Sequence, residues 1–336
     1  MLPILISRVS TVSRLFLLLV SLAFASSAAA REPVDLLTSI KPLQLIAAAV
    51  QEGVGEPAVM LPPGASAHHY ALRPSDVRHL KAADLFYWIG PDMEVFLTPL
   101  VQGRGGASQP VQALPGLTLR HFGEAHAAQE HASHDHDHDH DHDHDHDHDH
   151  DQTRDEHDHD HRPGSLDAHL WLLPANAVVI AEKMASDLSR VDPANAERYQ
   201  ANLAAFRQRL GDLDKRLKAR LEPVANRPFF VFHEAYDYFE AAYGLQHDGV
   251  FSAGGEAQPG ARHVAQMRQR LQQAGPSCVF YEPPARPRLA ETLTRGLPVE
   301  LAELDAMGSS ITADAQGYER LLETLGGTLA ECLESL

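Results

Sequence analysis

Of the 336 residues, 22 are histidines, and they are distributed unevenly. Nine His-Asp dipeptides fill residues 134–151, so that His134, His136, His138, His140, His142, His144, His146, His148 and His150 each precede an aspartate. After a short gap His157, His159 and His161 continue the alternation. Imidazole and carboxylate are both metal ligands, and their repetition describes loose, replaceable capture of several divalent ions. The run has no apolar residue to bury, so it cannot offset its own ordering entropy; an inert solvated spacer is the plain alternative. Such a tract indicates which substance is handled. It does not say where a tight site lies.

A tight site needs donors held by folded elements, and in open parallel sheets ligands bind beyond the carboxyl ends of strands. Four residues meet that condition. His68 lies in the loop that leaves an expected strand over 58–61, within Leu61-Pro62-Pro63-Gly64-Ala65-Ser66-Ala67-His68. His233 directly follows Phe229-Phe230-Val231-Phe232, and Asp305 follows a strand expected over 299–303. His169 leads from the far side of the tract into the apolar Leu170-Trp171-Leu172. Taken singly, each reads first as a hydrogen-bonded core group. At the mouth between two lobes they read together as a cleft.

The element that must hold those lobes is a long helix. Between 192 and 221, Tyr199, Leu203, Phe206, Leu210, Leu213, Leu217 and Leu221 recur at steps of three and four with charged residues between them. Asp192 and Pro193 suit its start and Pro223 its end. On either side, short strands alternate with helices, which argues for a parallel sheet in each half. Strands are expected over 34–40, 58–61, 84–89, 117–120, 228–232, 277–281 and 299–303, with helices between them and a final helix over 314–333. The organisation reads as a signal peptide over 1–30, an α/β lobe over 31–191 containing a mobile loop over 121–163, the linking helix over 192–222, and a second α/β lobe over 223–336. The first segment has Arg8 and Arg14, an apolar core and Ala28-Ala29-Ala30, which suits cleavage during export into an oxidising compartment. There Cys278 and Cys332 can pair, or stand as two separate buried thiols; export favours the disulfide.

The net charge is −18, and residues 134–161 carry −12 of it. The chain offers no basic face for nucleic acid and no polybasic membrane patch. Three imidazoles at one site favour zinc over manganese, although nickel and copper also accept imidazole. His233-Glu234-Ala235-Tyr236-Asp237 resembles the start of the His-Glu-x-x-His motif of zinc peptidases, but Asp stands at the second helical ligand position, so an enzyme is not expected. A periplasmic zinc or nickel store or chaperone remains the second reading of the tract.

Several stretches carry a family resemblance: GASAHHYALRPSD from Gly64, DLFYWIGPDME from Asp84, DAHLWLLP from Asp167, PFFVFHEAYDY from Pro228, EAQPG from Glu256 and LDAMGSSI from Leu304. In these motifs and their order the chain resembles the ZnuA-type, zinc-specific periplasmic solute-binding proteins of bacterial ABC importers (the cluster A-I metal-binding family). The resemblance implies two α/β lobes joined by one rigid helix, a monomer, and a metal in the interlobe cleft. It also implies delivery of Zn2+ to an inner-membrane permease served by a cytoplasmic ATPase. It carries over His68, His169 and His233 as ligands, and a disulfide in the second lobe that matches Cys278 and Cys332. Family members often place Glu where Ala67 stands. The fourth position is therefore left to water, Asp305 or a histidine of the tract.

Overall fold

The computed structural model describes residues 33–104, 107–123, 164–252, 261–283 and 288–336. The expected signal segment, the His-Asp tract and the EAQPG stretch lie outside those residues. Two sheets of four parallel strands organise the rest. The first is built from β1 (Leu36–Thr38), β2 (Ala58–Val59), β3 (Leu85–Trp88) and β4 (Ser108–Pro110), in the spatial order β2-β1-β3-β4. The second repeats this order one lobe later as β6-β5-β7-β8, from β5 (Phe229–His233), β6 (Gly249–Ser252), β7 (Ser277–Tyr281) and β8 (Val299–Glu303). In both sheets the chain order reverses between two central strands, the place where doubly wound folds open a crevice.

Helices cover the faces, because strands such as Leu85-Phe86-Tyr87-Trp88 are buried throughout. In chain order these are α1 (Lys41–Gln51), α2 (Pro74–Ala82), α3 (Thr98–Val101), α4 (Pro174–Val191), α5 (Ala196–Leu221), α6 (Asp237–Tyr243), α7 (Ala261–Ala274), α8 (Arg288–Thr294) and α9 (Gly317–Ser335). The long helix is α5, of 26 residues, and every apolar residue of the expected stripe is buried. It packs on α1 and α4 from the first half and on α9 from the second. At Gly326 of α9 an added Cβ would stand 2.6 Å from Leu217, so the two helices approach closely there. The Asn202 amide donates to the carbonyls of Val50 and Glu52, both at 2.9 Å, and satisfies the end of α1. One hydrophobic core therefore runs from Leu36 through α5 to Leu333.

Some local expectations are corrected. The helix begins at Ala196 after a short 3-10 turn over Pro193–Asn195, and Asp192 does not cap it. The Asp192 carboxylate accepts the Tyr199 hydroxyl at 2.9 Å and the Asn195 amide at 2.7 Å instead. Residues 117–120 form no strand; the fourth strand of the first sheet is β4, and His121 makes an isolated antiparallel bridge to Leu166. Helix α4 and strand β6 are additions to the sequence reading. Cys278 of β7 and Cys332 of α9 form a disulfide that ties the second sheet to the terminal helix. No helix among the described residues is long and apolar enough to cross a membrane.

Candidate metal centre

Three separate pieces of backbone bring His68, His169 and His233 together. His68 sits in the loop after β2, where the Ser66 hydroxyl accepts the backbone N–H of His68 at 3.2 Å and of His69 at 3.1 Å, forming a local turn. His169 precedes a 3-10 turn over Leu170–Leu172, and His233 is the last residue of β5. Ring centroids are 5.5 Å apart for His68 and His169, 5.6 Å for His68 and His233, and 5.0 Å for His169 and His233. One ring nitrogen from each lies within 4.8 Å of the others. His68 and His169 are buried and His233 nearly so, while His69 is exposed.

The loop carrying His169 is held by the other half of the molecule. Tyr238 of α6 donates to the Asp167 carbonyl at 2.9 Å and accepts the Arg120 N–H at 2.9 Å. Trp171 donates its indole N–H to Ala306 at 3.0 Å and accepts the Tyr318 hydroxyl at 2.6 Å. Ring placement within the site is set by two carboxylates. The Asp167 carboxylate meets His169 Nδ1 at 2.7 Å and accepts the His169 backbone N–H at 2.9 Å. Glu282 places its two oxygens 3.3 and 3.2 Å from His233 Nδ1. A carboxylate engages Nδ1 of both rings, the arrangement in which a metal-ligating imidazole uses Nε2.

Burial pushes the Asp167 carboxyl well above the usual carboxylate range, against the hydrogen bond from His169. Burial acts on Glu282 in the same sense, but the His233 imidazole and its hydrogen bond outweigh it and hold the carboxyl below its ordinary value. Glu282 went unnoticed in the sequence. The rule that singled out His233 and Asp305 applies to it equally, since it directly follows β7.

A cavity of ≈ 130 Å³ lies among these groups, lined also by Ala67, Met93 and Asp305. Small-molecule sites run to about 300–1,000 Å³, so this space suits an ion with its remaining waters. Asp305 lines the cavity but falls outside the three-histidine group. Its carboxylate accepts the backbone N–H groups of Met307 and Gly308 at 2.9 Å and of Ser309 at 2.7 Å, folding the loop after β8. Ala67 is buried and supplies no donor.

Elsewhere, Glu94 of the DLFYWIGPDME stretch is buried, and its carboxylate accepts the Ile89 N–H at 2.7 Å. Burial pushes its carboxyl up to about 7 despite that bond. The peptidase-like stretch is not a helix: His233 ends a strand, and α6 begins only at Asp237. His247 is buried, with Nδ1 2.8 Å from Glu240 Oε1. Asp237, Glu240 and His247 form a second compact group, and its chemistry is that of a buried ion pair.

Residues 36–332 match the family described as zinc-uptake complex component A, periplasmic. A Yersinia pestis protein named high-affinity zinc uptake system protein ZnuA is 37% identical over 304 residues, covering 89% of this chain and 91% of the relative. A Paracoccus denitrificans protein of the same name is 39% identical over 314 residues, covering 93% and 96%. Among solved structures, a ZnuA deletion mutant with zinc bound superposes with a TM-score of 0.68 at 22% identity, over 90% of this chain and 98% of that one. That last likeness concerns the fold alone.

Proposed function

The chain belongs to the family of periplasmic zinc-uptake complex component A proteins, and from that premise we propose that it captures Zn2+ through His68, His169 and His233. It then delivers the ion to an inner-membrane ABC permease driven by a cytoplasmic ATPase. The observation that carries this reading is the convergence of three imidazoles, from two loops and the end of strand β5, within 4.8 Å of one another. A tetrahedral zinc with bonds of about 2.0–2.1 Å sets its nitrogens about 3.3 Å apart, so at most about 1.5 Å of inward movement closes the site.

Neutral imidazoles suit zinc better than magnesium or calcium, which prefer oxygen donors. The Glu282 carboxylate stands behind the His233 ring and supplies negative charge against the cation's two positive charges, while Asp167 holds the His169 ring by its hydrogen bond. Water or Asp305 completes the coordination. Residues 134–161 gather further ions weakly and are separate from the tight site.

The test is a competition titration with a chromophoric chelator on the mature chain lacking residues 134–161. One tightly held zinc is expected, lost in each of His68→Ala, His169→Ala and His233→Ala. A tight ion that survives all three substitutions contradicts the assignment. Delivery is tested in a strain lacking the cognate permease: zinc-limited growth must become independent of this protein, and unchanged dependence would favour storage.

A further inference from the structure

Strand pairing places an acid beside His233 that the ligand set does not include. In the β5–β7 pair, Phe229 faces Cys278 and Val231 faces Phe280, an offset of 49 residues. His233 and Glu282 are separated by the same 49 positions, so the register that builds the sheet also sets them side by side. They stand at the carboxyl ends of the two central strands where the order β6-β5-β7-β8 reverses. Glu282 is anchored in turn: the Tyr236 hydroxyl lies 3.2 Å from Glu282 Oε1 and donates to the Leu304 carbonyl at 2.6 Å. Across the cleft Asp167 does the same for His169.

We infer that Glu282 is a positioning residue for zinc capture: it accepts the Nδ1–H of His233, fixes the tautomer that leaves Nε2 bare, and orients the ring toward the cation. This rests on the zinc reading of the cleft. A neutral imidazole carries one N–H, and without an acceptor at Nδ1 that proton can sit on Nε2, the nitrogen the metal requires. Each binding event must then move the proton first. Partners of this kind are worth about tenfold to a hundredfold in metal affinity.

The test compares the mature wild-type chain with Glu282→Ala and the isosteric Glu282→Gln. Zinc affinity is measured by chelator competition, and the His233 tautomer by the nitrogen chemical shifts of its labelled ring, with and without zinc. Thermal unfolding verifies that each variant folds. The expected result is a loss of about tenfold to a hundredfold in Glu282→Ala, a smaller loss in Glu282→Gln, and a shift of the His233 proton from Nδ1 toward Nε2 in the zinc-free chain. A change under about threefold with the tautomer unmoved overturns the inference. So does a loss beyond about a thousandfold, which would mark Glu282 as a ligand. If the wild type holds no tight zinc, the proposed function fails, yet the zinc-free tautomer comparison still decides the role of Glu282.

Discussion

The buried pair of His247 and Glu240 makes stability fall with rising pH in a defined window. Burial alone would depress the imidazole, but Glu240 at 2.8 Å, helped by Asp237 and Glu234, outweighs it and pushes the His247 pKa up to about 9 from 6.5. A group whose pKa is higher in the folded state stabilises fully below its unfolded value and loses that contribution as pH passes the folded value. The window is therefore about pH 6.5 to 9, and at 1.36 kcal/mol per unit the whole effect is about 3 kcal/mol. Glu234, pushed up to about 7 chiefly by burial, acts in the same direction but is largely spent before the window opens. Chemical denaturation of the zinc-free, disulfide-intact chain at several pH values across about 6.5–9.5 should reveal a decline of that size. In Glu240→Gln the decline should flatten, because the remaining burial keeps His247 neutral, and the protein should be about 3 kcal/mol less stable near neutrality. If wild type and Glu240→Gln decline in parallel across the window, the assignment of the effect to this pair is wrong.

Three further outcomes are expected. Zinc affinity at the cleft should fall by more than tenfold when pH drops from about 7.5 to about 5.5, because imidazoles must be neutral to bind metal; calorimetry at the two values measures it. Deleting residues 134–161 should lower the number of zinc ions bound per chain while leaving the tightest one, which elemental analysis after dialysis against graded chelator will show. Cys278→Ser should lower stability by about 4 kcal/mol, from the loss of a cross-link closing 54 residues, read as a reduced denaturation midpoint.

The parts of this molecule that follow a period are legible from its sequence, and those that depend on a partner far away are not. The stripe from Tyr199 to Leu221 marks the long helix because its apolar residues are large and separated by charges. Helix α4 buries mostly small residues, such as Ala177, Ala181 and Ala185, around Ile180, Met184 and Leu188, and makes a fainter pattern. Strands β4 and β6 are short edge strands with little periodicity to detect. His68, His233 and Asp305 stand out through their position after strands. Glu282 shares that position, but a solvated surface acid there looks identical in sequence, and only the β5–β7 register identifies its partner. His247 was hidden by Gly244, whose left-handed backbone (φ 69°) turns the chain after α6 and returns the imidazole to Glu240.

The grip of Tyr238, Trp171 and Tyr318 across the midline limits how far the two halves can part. Opening the molecule like jaws would wet those three aromatic side chains and break their hydrogen bonds, at a cost of about 6 kcal/mol or more. Such a state would be populated about once in ten thousand molecules. Under the function proposed above, a release route that keeps these contacts would prise aside a single lip of the cleft, at the segments bearing His68 and Glu282, without parting the halves.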